Sequence, residues 1–323
     1  MTRNEEDALR VVERYRKRVD YVEDFSARVL ASSWAVLQRN IERDLRSMKY
    51  TDIRNRSMPV RYREEIEPVI RIRAERYARD AERVMLSLAE TTALLGAETA
   101  DRSAKRITHN MKGRERKWEK ISTAGLFTGP LLTASKEALR KLPSAITEKI
   151  SQLVSQAAGM AEQGLDWIMS RIGDIMGNLW GGIQRTVRTL AEQMFRRAQQ
   201  EQAKVTPVQK WRRVANHETA CLACLMLEGT IYDKKEDFAD HPNGRCTIVP
   251  VEDPNAQSTH PGRDWFLEQD EETQRKIMGK GRYEAWQNGD IDLDEMVDIK
   301  NDPIYGPQPH IRPLKDFGLT PSK

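Results

Sequence analysis

Apolar or small residues recur at positions 150, 154, 157, 161, 165, 168, 172, 176, 179, 183, 187, 190 and 194, and this rhythm constrains the fold more than any other feature of the chain. It covers 44 residues in 12 steps, about 3.67 per step, which fits an α-helix and not the two-residue alternation of a strand. The steps repeat as 4, 3, 4, an eleven-residue pattern that keeps the stripe on one side of a straight or slightly right-handed supercoiled helix. Residues 144–200 are therefore expected to form one long amphipathic helix, or two in series, packing in a coiled-coil-like way. Pro143 followed by Ser144 reads as its start. Gly173, Gly177, Gly181 and Gly182 weaken it, and a kink is expected near 181. Its densest apolar face runs through Ile168, Ile172, Met176, Leu179 and Ile183, a surface for the N-terminal helices or for another subunit.

The first 120 residues are helical by the same criterion. Leu9, Val12, Tyr15, Val19, Val22 and Phe25 recur at three- and four-residue steps, and Val29, Leu30, Trp34, Leu37 and Ile41 continue the stripe. Pro59 breaks the pattern near 56–60. A second stretch from about Pro68 to 95 is rich in Arg. Residues 108–120 are strongly basic, with His109, Lys112, Arg114, Arg116, Lys117 and Lys120 around Trp118. Gly125, Gly129 and Pro130 mark a loop or hinge. After Pro207 the long period disappears and Gly, Pro, Asp and Asn become frequent. The expected organisation is a basic helical region over 1–120, a hinge and long amphipathic helix over 121–207, and a separate domain over 208–323. The expected class is mainly α with a small α+β C-terminal domain.

Charge follows the same division. Residues 1–210 carry 39 Lys/Arg against 28 Asp/Glu, and the remainder carries 14 against 21. A basic region is a candidate for non-specific contact with DNA, although acids interspersed among the Arg residues also suit a solvated helix face. No apolar run approaches the roughly 20 residues of a spanning helix. The three cysteines exclude a disulfide-built scaffold. The opening MTRNEEDALR is acidic and polar where a secretory signal would be basic and then apolar, so synthesis in the cytoplasm is expected.

The three cysteines fall within 26 positions. Cys221 and Cys224 form C-x2-C in HETACLACLMLEG, and His241 and Cys246 open and close HPNGRC. Three thiolates and one imidazole make a tetrahedral donor set for zinc, and four filled positions leave none for water, so such a site is structural. Buried unmetallated thiols, a redox C-x-x-C pair and a disulfide remain alternatives. His217, four residues before Cys221, competes with His241 as fourth ligand.

The stretch KWRRVANHETACLACLMLEGTIYDKKEDFADHPNGRCTIVPV resembles the C-terminal core of phage head morphogenesis proteins, the Mu F-like minor head proteins. Trp211, Cys221, Cys224, Leu227, Gly229, His241, Pro242, Asn243, Arg245, Cys246 and Pro250 carry the likeness. Downstream, Trp265, Gly279, Arg282, Tyr283, Trp286, Gly289, Leu314 and Gly318 continue it. The resemblance covers about residues 185–320. Gly244 departs from it, standing where many relatives have Cys.

The resemblance implies a non-enzymatic structural protein of the virion. Such a protein associates with the portal and with capsid or scaffold proteins, is oligomeric in the particle, and acts in prohead assembly and DNA packaging or delivery. On that reading the helical arm docks through Ile168, Ile172, Met176 and Leu179, and the C-terminal domain folds without it. The alternatives are a zinc-containing DNA nuclease using His241 and Asn243, and a membrane-acting ejection protein using the apolar helix.

Overall fold

The computed structural model describes residues 1–47, 58–108, 120–158, 160, 164–242 and 244–319. Helix α1 spans Arg3–Arg46. Helix α2, Met58–Arg61, runs through a π-helical turn at Tyr62–Ile66 into α3, Glu67–Thr108. A 3-10 turn at Thr123–Thr128 precedes α4, Pro130–Ala157, and α5 spans Gly164–Val205. The remainder holds β1 (Lys210–Val214), α6 (Leu222–Met226), β2 (Ile231–Asp233), β3 (Thr247–Val251), α7 (Pro261–Leu267), α8 (Glu271–Met278), α9 (Lys280–Gln287), β4 (Val297–Asp302) and β5 (Gly306–Ile311). The chain is mainly α, with small antiparallel sheets near the C-terminus. Of the basic stretch at 108–120, His109 and the charged residues as far as Glu119 lie outside the described residues.

The expected long helix is two helices, and prolines and glycines do not interrupt where sequence placed them. Pro143 lies inside α4, where burial of Leu139, Leu142 and Ile146 around it outweighs one missing amide donor. Pro130 instead takes the first helical position, where no donor is needed. Pro59 likewise sits in the first turn of α2. Helix α5 continues through Gly181 and Gly182, where half-buried Trp180 and buried Ile183 and Val187 anchor both sides.

In α1 the buried stripe runs through Val12, Tyr15, Val19, Glu23, Ser26, Leu30, Trp34, Leu37 and Ile41. It passes over Glu23 and Ser26 in place of Val22 and Phe25, because strict helical spacing selects those positions. Phe25 is 54% exposed. Glu23 tolerates its burial by pairing with Arg188 at 2.9 Å.

Contacts gather the chain into two units, each assembled from separate segments: Met1–Asp20 with Glu90–Pro130 and Ala191–Lys323, and Tyr21–Ala89 with Leu131–Leu190. In the second unit Trp34 meets Tyr77 edge-on at 5.2 Å and stacks on Trp180 at 6.1 Å. Ile168, Ile172 and Met176 are buried within the chain itself. The apolar face expected to dock on a partner is therefore already covered, because single long helices of this amphipathicity bury their stripes on one another.

In the first unit, β1 pairs antiparallel with β2 and β3, giving the order β2-β1-β3. Pro250, opposite Trp211, is tolerated because β3 is an edge strand. Strands β4 and β5 form a hairpin. Leu222, Leu225, Phe266, Met278, Tyr283, Leu293 and Met296 make one apolar cluster, with Trp265 and Trp286 packed on it. Arg282 donates to the carbonyls of Met278 and Arg312. Trp211 packs with Ala100, Ala104, Ala203 and Ile248, which ties the sheet to α3 and α5. Helix α5 is buried nearly all round from Ala191 to Gln199. The residues after 208 thus pack on α3 and α5, and a cut at residue 200 would remove part of their own core.

Helix α3 approaches α5 closely at Gly96, where an added methyl group would land on the Phe195 carbonyl. Gly96→Ala is expected to cost about 1–3 kcal/mol through overpacking. Gly173 and Gly177 face open space in the middle of α5. Their replacement by Ala is expected to stabilise by about 0.5–1 kcal/mol each, because Gly loses more backbone entropy in a helix. Urea denaturation of the variants measures both signs.

Candidate metal centre

Local structure brings the predicted ligands together. Cys221 precedes α6 and Cys224 lies within it, so C-x2-C wraps one helical turn and both sulfurs face one side. His241 lies on the segment after β2, and Cys246 immediately precedes β3. Nε2 of His241 is 3.3 Å from Sγ of Cys221 and 3.3 Å from Sγ of Cys224. Its Nδ1 donates to the Pro242 carbonyl at 2.9 Å, which orients the ring and leaves the Nε2 lone pair facing the sulfurs. The ligand atoms of Cys221, Cys224 and His241 lie within 4.8 Å of one another, as do those of Cys224, Asp240 and Cys246. This cluster could hold a metal ion.

Three further residues complete the site. Burial alternates along β1, so Arg213 shares the inward face with Trp211 and is fully buried. Its Nη2 lies 3.3 Å from Sγ of Cys246 and 3.5 Å from Sγ of Cys224. Its Nη1 donates to the Ala239 carbonyl, its guanidinium lies over the Phe238 ring, and it faces Asp240 at 3.7 Å. Asp240 is also ion-paired with buried Arg196 of α5, and its Oδ1 accepts from the His241 amide at 2.9 Å. Both oxygens of Asp240 thus have protein partners as well.

A buried guanidinium needs a compensating anion, and thiolates bound to a divalent ion would supply it. Three thiolates around such an ion would leave one negative charge beside Arg213; Arg196 faces Asp240 and Glu192. The donor set and its surroundings therefore fit a bound divalent ion.

The titration behaviour follows the same contacts. A hydrogen bond with Cys224 holds Cys221 down to about 7, against burial. The contact with Cys224 and burial push Cys246 well above the ordinary thiol value. The contact with Cys224 raises His241, while burial opposes it. Burial pushes Arg196 down to about 10. Burial also opposes the charge on Arg213, but Cys246 and Cys224 raise it and the net shift is upward.

His217 is not part of the cluster. Its Nε2 is 2.5 Å from Oε2 of Glu228 and its ring lies on Trp265. Asn243 lies outside the described residues. Gly244 has a spatial reason to be glycine: a side chain there would overlap the Asp240 carboxylate.

Sequence reasoning missed Arg213, Arg196 and Asp240. The strand alternation of KWRRV places Arg213 inward beside Trp211, a sign of a buried anion. No local pattern marks Arg196, whose burial depends on what surrounds α5. No family model matches the chain, and neither curated proteins nor solved structures give a match.

Proposed function

We propose that this chain is a non-enzymatic assembly protein, a portal-associated minor head protein of a tailed-phage particle, whose first unit is fastened by a structural zinc ion. The observation that carries the reading is the grouping of Cys221, Cys224 and His241, with Cys246 grouped in turn with Cys224 and Asp240. Tetrahedral bonds of about 2.3 Å to sulfur and 2.0–2.1 Å to nitrogen place S and N roughly 3.5 Å apart. The 3.3 Å separations agree with that geometry. Zinc would supply a crosslink between α6 and the segment leading into β3. The head-assembly role rests on the sequence resemblance around the same residues.

On this reading both nitrogens of His241 are engaged, and four bound ligands would leave no position for a catalytic water, which disfavours the nuclease alternative. The membrane-acting reading loses its basis: no described helix is long and apolar enough to cross a membrane, and the apolar face of α5 is buried in the chain.

Two measurements test the proposal. Elemental analysis of freshly purified, reduced protein is expected to give one zinc per chain. His241→Ala is expected to lose it, by more than the 10–100-fold in affinity typical of outer partners, while His217→Ala retains it. Equal retention in both variants removes His241 from the ligand set. Mass spectrometry of purified particles is expected to find the chain at low copy with the portal. Its presence only in the soluble lysate overturns the assembly role.

A further inference from the structure

In the first unit, a groove of about 440 Å³ lies between the N-terminal part of α1 and the C-terminal part of α3. Arg14 and Arg18 line it from α1; Arg102, Lys105 and Arg106 line it from α3. Within each helix the cations stand one turn apart, so they share a face and repel one another. Elsewhere on the chain arginines are balanced at the same spacing, as in Arg71 with Glu67, Arg79 with Glu75 and Arg83 with Asp80. The groove is different. Lys105 is paired with Asp101, and the lining acid Asp7 is paired with Arg10. Arg14, Arg18, Arg102 and Arg106 have no ion pair among the described residues.

The floor of the groove preorganises this charge. Tyr15 is buried and donates its hydroxyl to Glu98 at 2.8 Å. The guanidinium groups of Arg18 and Arg102 lie over its ring, 5.0 and 5.8 Å from the centroid. Guanidinium forks match phosphate oxygens bidentately. The lining offers no exposed aromatic face on which a base could stack.

We propose that this groove binds the phosphodiester backbone of nucleic acid without reading its sequence. The site is separate from the metal cluster, and the inference does not depend on the assembly role.

Fluorescence anisotropy with two labelled 20-base-pair duplexes of unrelated sequence tests it on the full chain, with zinc content and circular dichroism recorded in parallel. The two duplexes are expected to bind within about twofold of each other, since phosphate contacts carry no sequence information. About four phosphate contacts predict a log–log salt slope near −3.6, or roughly 100-fold weaker binding at 200 mM than at 50 mM salt. R14Q/R18Q/R102Q/R106Q is expected to flatten the slope nearly to zero with zinc content unchanged. R61Q/R79Q/R83Q/K141Q, which loses the same charge elsewhere, is expected to stay within about threefold of the parent.

Should the first variant fail to fold, R14Q/R106Q and R18Q/R102Q are each expected to reduce the slope by about two. No binding by the parent at 50 mM salt, equal loss in the control variant, or an unchanged slope in the folded groove variants overturns the inference. Binding of inorganic tripolyphosphate without binding of either duplex overturns it as well.

Discussion

Stripping the proposed zinc ion from the reduced protein is expected to unfold the β1–β3 sheet and the packing of α6, with a fall in melting temperature of more than about 10 °C. Structural zinc contributes about 10–16 kcal/mol of apparent binding free energy in small modules, whereas whole domains are stable by only about 5–15 kcal/mol. The loss here is expected to be large for a local reason. Without the ion, the contact with Cys224 and burial favour the protonated thiol at Cys246, and buried Arg213 loses an anion that faces it. Asp240 then faces both guanidinium groups, with Glu192 as the other anion near Arg196. Near-ultraviolet circular dichroism follows the event through Trp211, Trp265 and Trp286, and readdition of zinc is expected to restore the signal. Cys224→Ser is expected to mimic the chelator, since Cys224 belongs to both ligand groupings. A metal-free chain with unaltered melting temperature and near-ultraviolet spectrum would refute the structural role of the cluster.

The second large effect concerns Arg213. Its guanidinium touches two sulfurs, the Ala239 carbonyl, the Phe238 ring and Asp240 while fully buried. Arg213→Met fills similar volume but leaves net negative charge buried beside the metal. Breaking such a pair on one side costs about 3–5 kcal/mol. Loss of an outer hydrogen-bond partner also lowers metal affinity by about 10–100-fold. Arg213→Lys is expected to recover little, because one ammonium cannot span both sulfurs and the carbonyl. Denaturant titration in excess zinc, paired with competition against a chromophoric chelator, separates the two effects. A stable Arg213→Met protein with parental zinc affinity would mean that the arginine contributes packing alone.

Both predictions rest on residues of unequal legibility. Cys221, Cys224, His241 and Cys246 were readable because few side chains bind metal and their spacing is local chemistry. His217 was a competing candidate on spacing, and the position of Glu228 beside its ring separates it from the cluster. Arg213 was half-readable, since alternation along a short strand points it inward. Arg196 and Asp240 were not readable at all. They lie 44 positions apart in the chain, and their pairing requires α5 to pass behind the loop that carries His241.

The helices divide in the same way. Periodicity alone determined that residues 4–48 and 144–200 are helical and which stripe of α5 is apolar, because a 3.6-residue repeat is written directly in side-chain polarity; in α1 it misplaced two positions of the stripe. The mainly α class followed from that pattern. Where α4 ends and α5 begins was decided by tertiary packing, which held Pro143, Gly181 and Gly182 inside helices despite their local cost. What lies against the stripe of α5 was decided there too. An apolar face states that something must cover it, but partner choice depends on contacts distant in sequence, and the covering surface proved to be the chain's own.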